Sequence, residues 1–452
     1  MTAAAIRRIK KSVKDCEELR TRASILSVKI TEVEEETAKA NSWRRSNRVC
    51  KQLPCYNFLL NSLAGRNNVE KSGFALGFRP WSSSIGTCMN RFVQSGALHT
   101  QAEAVAASTS REVEELADID WDALGFGLRQ TDYMYIMKCR KDGEFYEGEL
   151  QPFGTVELSP SAGVLNYGQG LFEGLKAYRT TGGRTILFRP EENALRMQMG
   201  ADRLCMPAPS VEQFVNAVKQ TVLANKRWIP PSGKGSLYIR ILLMGSGPIL
   251  GLGPAPEVTF LTFVSPVGNY FKEGLKPIHL QVERMHHRST PGGTGGVKAI
   301  GNYAPALRVL SGAKAKGFSD VIYLDSVNKK YIEEVSSCNI FLKKGNIIST
   351  PALHGTVLPG VTRKSIIALA RTRGYEVQER LVSIDELLDA DEVFCTGTAV
   401  VVSPVGSVSY LERRVTYRSG SPGGVSEELY SALTSIQLGL AEDSMGWTFE
   451  VK

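Results

Sequence analysis

Residues 292–303 read Gly-Gly-Thr-Gly-Gly-Val-Lys-Ala-Ile-Gly-Asn-Tyr. Four glycines ahead of Lys298 permit close backbone approach. A lysine acts as nucleophile or base only when its amine sheds a proton, which needs burial or a nearby positive charge. Taken alone, a lysine is a solvated surface charge. The glycines before it, and Gly301-Asn302-Tyr303 directly after, set Lys298 apart.

Outward from that run, secondary structure is punctuated on both sides. His279 to Val282 reads as a strand before it. After it come a helix over Ala304 to Lys316 ending at Gly317, a strand at Val321 to Leu324, and strands at Tyr331-Ile332 and Ile340 to Leu342. Gly360 precedes a helix from Val361 to Arg373, closed by Gly374. Upstream, Tyr133 to Met137, Ser236 to Leu243 and Val258 to Phe263 are strand-like. Leu195 to Leu204 and Val211 to Asn225 have helical spacing, with Pro207 and Pro209 between them. Strands and helices interleave without an internal repeat, which predicts mixed α/β domains. Residues 266–276, with Pro266, Gly268 and Gly274, read as the linker between a domain at 109–265 and another at 277–452.

Composition limits the function classes. The 42% apolar and 22% charged residues are ordinary for a globular protein. The longest apolar stretch, around Leu237 to Leu252, is interrupted by Arg240 and glycines and is not a membrane span, so a soluble protein is expected. The net charge of +8 lies wholly in residues 1–108; the other 344 residues carry 37 basic and 37 acidic side chains. A neutral body excludes a nucleic-acid binder. Eight cysteines at irregular spacings give no C-x-x-C pair, so neither a disulfide framework nor a zinc site is expected. Adjacent His286 and His287 point to different sides and do not share a metal.

Residues 1–40 form an N-terminal extension in which Ile25, Val28 and Val33 stripe a short helix. Residues 41–108 are rich in Arg and Ser and carry only Glu70 and Glu103 as acids, the composition of an organellar transit peptide. Composition alone does not separate a plastid from a mitochondrial destination. A disordered tail with no address is the alternative.

The segment around Lys298 resembles the cofactor-lysine motif of the branched-chain aminotransferases, which are fold type IV pyridoxal-phosphate enzymes. The resemblance continues, in order, through Leu-Asn-Tyr-Gly-Gln-Gly-Leu-Phe-Glu-Gly at 165–174 and Tyr-Ile-Glu-Glu-Val-Ser-Ser-Cys-Asn-Ile-Phe at 331–341. Leu-Pro-Gly-Val-Thr-Arg at 358–363 and Gly-Thr-Ala at 397–399 complete it. It covers roughly residues 119 to 450 and is nearest to the plant branch; several ordered motifs carry weight that one alone would not. With that plant-like resemblance, the chloroplast is the expected destination ahead of the mitochondrion.

The resemblance implies a two-domain α/β protein with pyridoxal 5'-phosphate at the domain interface, the second domain being the larger, cofactor-binding one. Lys298 would carry the cofactor and move the substrate Cα proton. Glu334 would face the pyridine nitrogen, with Glu333 beside it an ordinary exposed acid. Tyr303 would hydrogen-bond the cofactor's phenolic oxygen. Arg196, Ser337, Val361, Thr362 and Thr398 would complete the cofactor site, with Arg203 the bland alternative to Arg196. Tyr167, Phe172, Gly174, Tyr238, Arg240 and Ala399 would form the substrate pocket. Leu250 and Leu252 match a loop that reaches the neighbouring subunit, implying a homodimer. For Arg240 a structural ion pair is the simpler alternative.

The implied reaction is reversible transamination of leucine, isoleucine and valine with 2-oxoglutarate. D-amino acid aminotransferases and aminodeoxychorismate lyases lack the Asn302-Tyr303 pair at this spacing, while a methionine or chain-elongated oxo-acid substrate needs only a few pocket changes. A silent binding protein on the same fold is disfavoured by the joint retention of Lys298, Glu334, Tyr303 and Arg196. Ala399 to Ser403 lacks the C-x-x-C pair of animal relatives, so thiol regulation of that kind is not expected. Ser337 stands where some relatives have threonine and keeps the hydroxyl.

Overall fold

The computed structural model describes residues 116–140, 143–268, 270, 276–417 and 423–452. The readings for residues 1–40 and 41–108, and for most of 266–276, lie outside them. The first half contains β1 (Tyr133–Arg140), β2 (Glu149–Pro152), α1 (Gly163–Tyr167), β3 (Gly170–Arg179), β4 (Thr185–Phe188), α2 (Pro190–Arg203), α3 (Val211–Ala224), β5 (Ser236–Gly245) and β6 (Glu257–Val267). The second contains β7 (Ile278–Glu283), α4 (Ala306–Ala315), β8 (Asp320–Leu324), β9 (Ile332–Val335), β10 (Asn339–Lys344) and β11 (Ile347–Pro351). It continues with α5 (Val361–Thr372), β12 (Glu376–Arg380), α6 (Ile384–Leu388), β13 (Glu392–Gly397), β14 (Val401–Tyr410), β15 (Arg413–Thr416), α7 (Val425–Gln437) and β16 (Thr448–Val451). Strands and helices interleave, as the α/β reading expects.

Local chemistry accounts for several boundaries. Ser210 begins α3 with a reciprocal capping box to Gln213, and Ser383 does the same for α6 with Glu386. Pro190 opens α2, where a missing N–H is harmless. Gly317 and Gly374 stand at positive φ just past α4 and α5, the backbone state that ends a helix.

The strands form two sheets. The seven-stranded sheet runs β16-β4-β3-β5-β6-β1-β2 and is antiparallel throughout. Its core packs β3, β5 and β6 against α2 and α3, with Leu171, Ile239, Ile241, Phe260, Met197 and Phe214 fully enclosed. The nine-stranded sheet runs β12-β11-β10-β13-β14-β7-β8-β9, with β15 on β14, and mixes parallel and antiparallel pairs. Tyr178, Ile186 and Phe188 of the first sheet share one cluster with Phe341, Phe394, Ile366 and Leu429. Each such side chain contributes about 1.5–3 kcal/mol on burial, so the sheets are pinned at that seam.

Two features differ from the sequence reading. β6 continues through Val267, two residues into the stretch read as linker. The β1 ladder ends at Thr262, so Pro266 leaves no donor missing on that side. In addition, β16 pairs with β4, which places residues 448–451 in the first sheet rather than with residues 277–452.

Candidate active site

Lys298 is placed by its neighbours. Val297 and Ala299 are buried in the first sheet's core, and Ala299 bridges Leu171 of β3. The Lys298 carbonyl accepts the Phe172 N–H at 3.2 Å. Residues on either side therefore face one way and the lysine side chain the other. Its Nζ donates to the Tyr303 hydroxyl at 3.2 Å and lies 4.3 Å from the Phe172 ring centroid. The glycines upstream earn their place by close packing: a Cβ on Gly295 would stand 2.1 Å from Ser289 Oγ, and one on Gly296 2.8 Å from the Gly355 carbonyl oxygen.

That lysine opens into a cavity of about 420 Å³ between the two sheets. The first sheet contributes Phe172 and Gly174 from β3 and Tyr238 and Arg240 from β5. A Cβ on Gly174 would stand 2.0 Å from the Tyr238 hydroxyl, so only glycine leaves that ring its position. Arg240 lies over the Phe172 ring at 4.9 Å and over Tyr238 at 5.4 Å. Among the described residues it forms no ion pair, and its buried Nε has no partner, so the structural ion pair considered for it is absent.

The second sheet contributes Glu334 from β9, which is 2% exposed. Its Oε1 accepts the Leu358 N–H at 3.0 Å and lies 2.5 Å from Arg288 Nη1. Burial pushes the carboxyl up to about 7, against the pull of Arg288. Glu333 corrects the sequence reading: it is buried too, at 7% exposure, and burial raises its carboxyl. Both faces of β9 are covered, so alternation never separated the two acids. Ser337 and Cys338 also line the cavity; burial pushes the Cys338 thiol up to about 12, which keeps it neutral and unreactive.

Two backbone turns complete the walls. Val361 and Thr362 open α5 behind Gly360, which offers no side-chain cap. Among the described residues the N–H groups of Val361, Thr362 and Arg363 have no acceptor, and Lys364 makes the first helical bond, to Gly360. Thr398, Ala399 and Val400 form the tight turn between β13 and β14, and their N–H groups are likewise without acceptors. The chain leaves this turn through Val401 at φ 60°, a strained state for a β-branched residue worth about 1–3 kcal/mol. Free amides at a helix start and in a turn form two sites for anionic groups. Arg196 stands beside them, held by Glu173 through Nε–Oε1 and Nη2–Oε2 contacts of 2.7 Å each. Arg203, the alternative, is exposed and donates to the Gly292 carbonyl.

A phosphorylated pyridine aldehyde fits this donor set. Free amides and Arg196 suit its phosphate, Lys298 its aldehyde, and Glu334 its ring nitrogen. Tyr167, Leu250 and Leu252 stand apart from the cavity; Leu250 and Leu252 are 91% and 89% exposed, and the Tyr167 hydroxyl donates to the Leu250 carbonyl. Arg288 escaped the sequence reading. A single arginine before a glycine run carries no local signal, and its partner Glu334 lies 46 positions on.

Comparison with known proteins follows the same lines. The family described as amino-transferase class IV matches residues 170–408. The chain is 70% identical over 348 residues to branched-chain amino acid aminotransferase 2, chloroplastic, of Humulus lupulus, covering 77% of this chain and 85% of that one. It is 59% identical over 418 residues to branched-chain-amino-acid aminotransferase 5, chloroplastic, of Arabidopsis thaliana, covering 92% and 100%. Among solved structures, the T.th. branched-chain amino acid aminotransferase with pyridoxamine 5'-phosphate superposes with a TM-score of 0.60 at 28% identity, covering 72% of this chain and 100% of that one. This chain belongs to the class IV aminotransferases, in the branch of the plant branched-chain-amino-acid enzymes.

Proposed function

We propose that the chain catalyses reversible amino-group transfer between leucine, isoleucine or valine and 2-oxoglutarate, with pyridoxal 5'-phosphate held through Lys298. The observation that carries this reading is a single cavity onto which Lys298, Glu334 and two sets of unpaired backbone amides all open. When bound, the cofactor supplies an electron sink for the electron pair left at the substrate Cα.

The chain's residues do the rest. Lys298 Nζ takes the Cα proton and returns it, and the Tyr303 hydroxyl keeps that amine in position. The Glu334 carboxylate holds positive charge at the ring nitrogen, backed by the Leu358 N–H and Arg288. Val361, Thr362, Thr398 and Ser337 offer amides and hydroxyls to the phosphate, with Arg196 adding charge. Phe172 and Tyr238 present an apolar wall to a branched side chain. Arg240, with its free Nε, accommodates a second carboxylate when glutamate or 2-oxoglutarate enters. The Thr398–Val400 turn receives the α-carboxylate through its amides and Ala399.

The exposed Leu250 and Leu252 support a homodimer in which this loop covers the neighbouring cavity. The chloroplastic relatives support delivery to the chloroplast. Residues 109–267 together with β16 are read as the small domain, and residues 277–447 as the cofactor-binding one.

An amino-donor screen against 2-oxoglutarate tests the reading: leucine, isoleucine and valine are expected to turn over well ahead of methionine, and D-alanine not at all. Faster turnover of methionine or D-alanine would replace it. Gly174→Ala is expected to displace Tyr238, raise the leucine KM by about tenfold and cost about 1–3 kcal/mol of stability. Steady-state kinetics and chemical denaturation read both effects.

A further inference from the structure

Lys176 is a buried cation without an acid among the described residues. It lies on β3, two residues beyond Gly174 on the same face, and is 6% exposed. Its Nζ donates to the Ala399 carbonyl at 3.0 Å. Arg196 and Arg288, buried nearby, each hold a carboxylate. No carboxylate among the described residues pairs with Lys176, and desolvation alone acts on it, lowering its pKa to about 8. A charge kept in that setting costs the fold stability unless an anion arrives to answer it.

Its surroundings indicate which anion. Lys176 borders a narrow gap shared with Thr362, Thr398 and Gln437, directly behind the turn whose amides are unpaired. That turn is followed by Val401 in the left-handed region, so it does not rest in a relaxed conformation by itself. The Ala399 carbonyl and the Val400 N–H belong to one peptide plane and point opposite ways, so holding the carbonyl fixes the direction of the unpaired Val400 N–H.

We propose that Lys176 is a positioning residue for the substrate carboxylate: it clamps the strained Thr398–Val400 turn and lends it a positive charge that the incoming amino acid or oxo acid neutralises. This rests on the transaminase reading. The carboxylate completes a charge pair that the protein leaves open, so affinity for acids is obtained at the expense of stability in the free enzyme.

The test compares wild-type, Lys176→Met and Lys176→Arg holoenzymes. Calorimetry measures binding of 4-methylvalerate and of its uncharged amide, alongside KM and kcat for leucine and 2-oxoglutarate. Lys176→Met is expected to weaken 4-methylvalerate and raise both KM values by about tenfold, with kcat within about threefold. The amide should lose far less affinity than the acid in Lys176→Met, Lys176→Arg should recover acid binding, and the Tm of Lys176→Met at pH 7 should not fall. Unchanged acid binding, equal weakening of acid and amide, or lost cofactor affinity with normal acid binding each overturns the proposal. If Lys176→Met does not fold, Lys176→Gln, which keeps a donor for Ala399 without the charge, carries the same test with the same outcomes. A wild-type enzyme that fails to transaminate leucine would sink the functional reading; an active wild type with an unresponsive Lys176→Met sinks only this one.

Discussion

Lys298→Ala is expected to lower turnover by about 10⁴-fold or more while the protein stays folded. Lys298 is the only lysine among the described residues lining the cavity, so no second amine stands ready to replace it. Proton transfer by a positioned base contributes about 10²–10⁴-fold, and loss of the covalent tether adds to that. The structural cost is small by comparison. The side chain gives up one hydrogen bond to Tyr303 and a contact with the Phe172 face, together about 1–2 kcal/mol. The visible absorbance of the lysine-held cofactor should vanish and the circular dichroism spectrum should not change. Residual transamination at the wild-type rate would refute the role of Lys298.

Glu334→Gln is expected to keep the cofactor and the absorbance band but slow the proton-transfer step by about 10²–10³-fold, since a neutral amide no longer holds charge at the ring nitrogen. Single-turnover kinetics with leucine would read that step directly. The substitution also has a signature without cofactor. Burial raises the folded-state carboxyl from 4.5 to about 7, so the folded protein holds that proton more tightly than the unfolded chain does. The contribution is therefore full below pH 4.5 and is lost as pH rises through about 7. Thermal unfolding of the cofactor-free protein between those pH values should show the decline in wild type, and Glu334→Gln should show a shallower one, since burial raises the Glu333 carboxyl as well. An unaltered slope would mean that another group titrates there.

What the sequence disclosed depended on how far apart the interacting groups lie. Lys298 and Tyr303 are five positions apart, and a glycine run marks the backbone beside them, so their meeting was legible locally. Helix starts such as α5 were legible because Gly360 and the apolar spacing after it are neighbours in the chain. Arg288 meets Glu334 only after β8 and β9 pair, and Lys176 meets Ala399 across 223 positions; nothing near either residue announces the partner. β3 was not read as a strand because it is covered on both faces and shows no alternation. The same cause hid the burial of Glu333.

The pairing of β16 with β4 has a consequence for how the protein is made. Strand β4 would otherwise be the open edge of its sheet, and the strand that covers it is translated about 260 residues later. A nascent chain emerging from the ribosome therefore carries an unfinished edge until residues 448–451 are released, a state prone to pairing with other chains. A premature stop just ahead of Trp447 would leave the cavity residues intact and still yield an aggregating product.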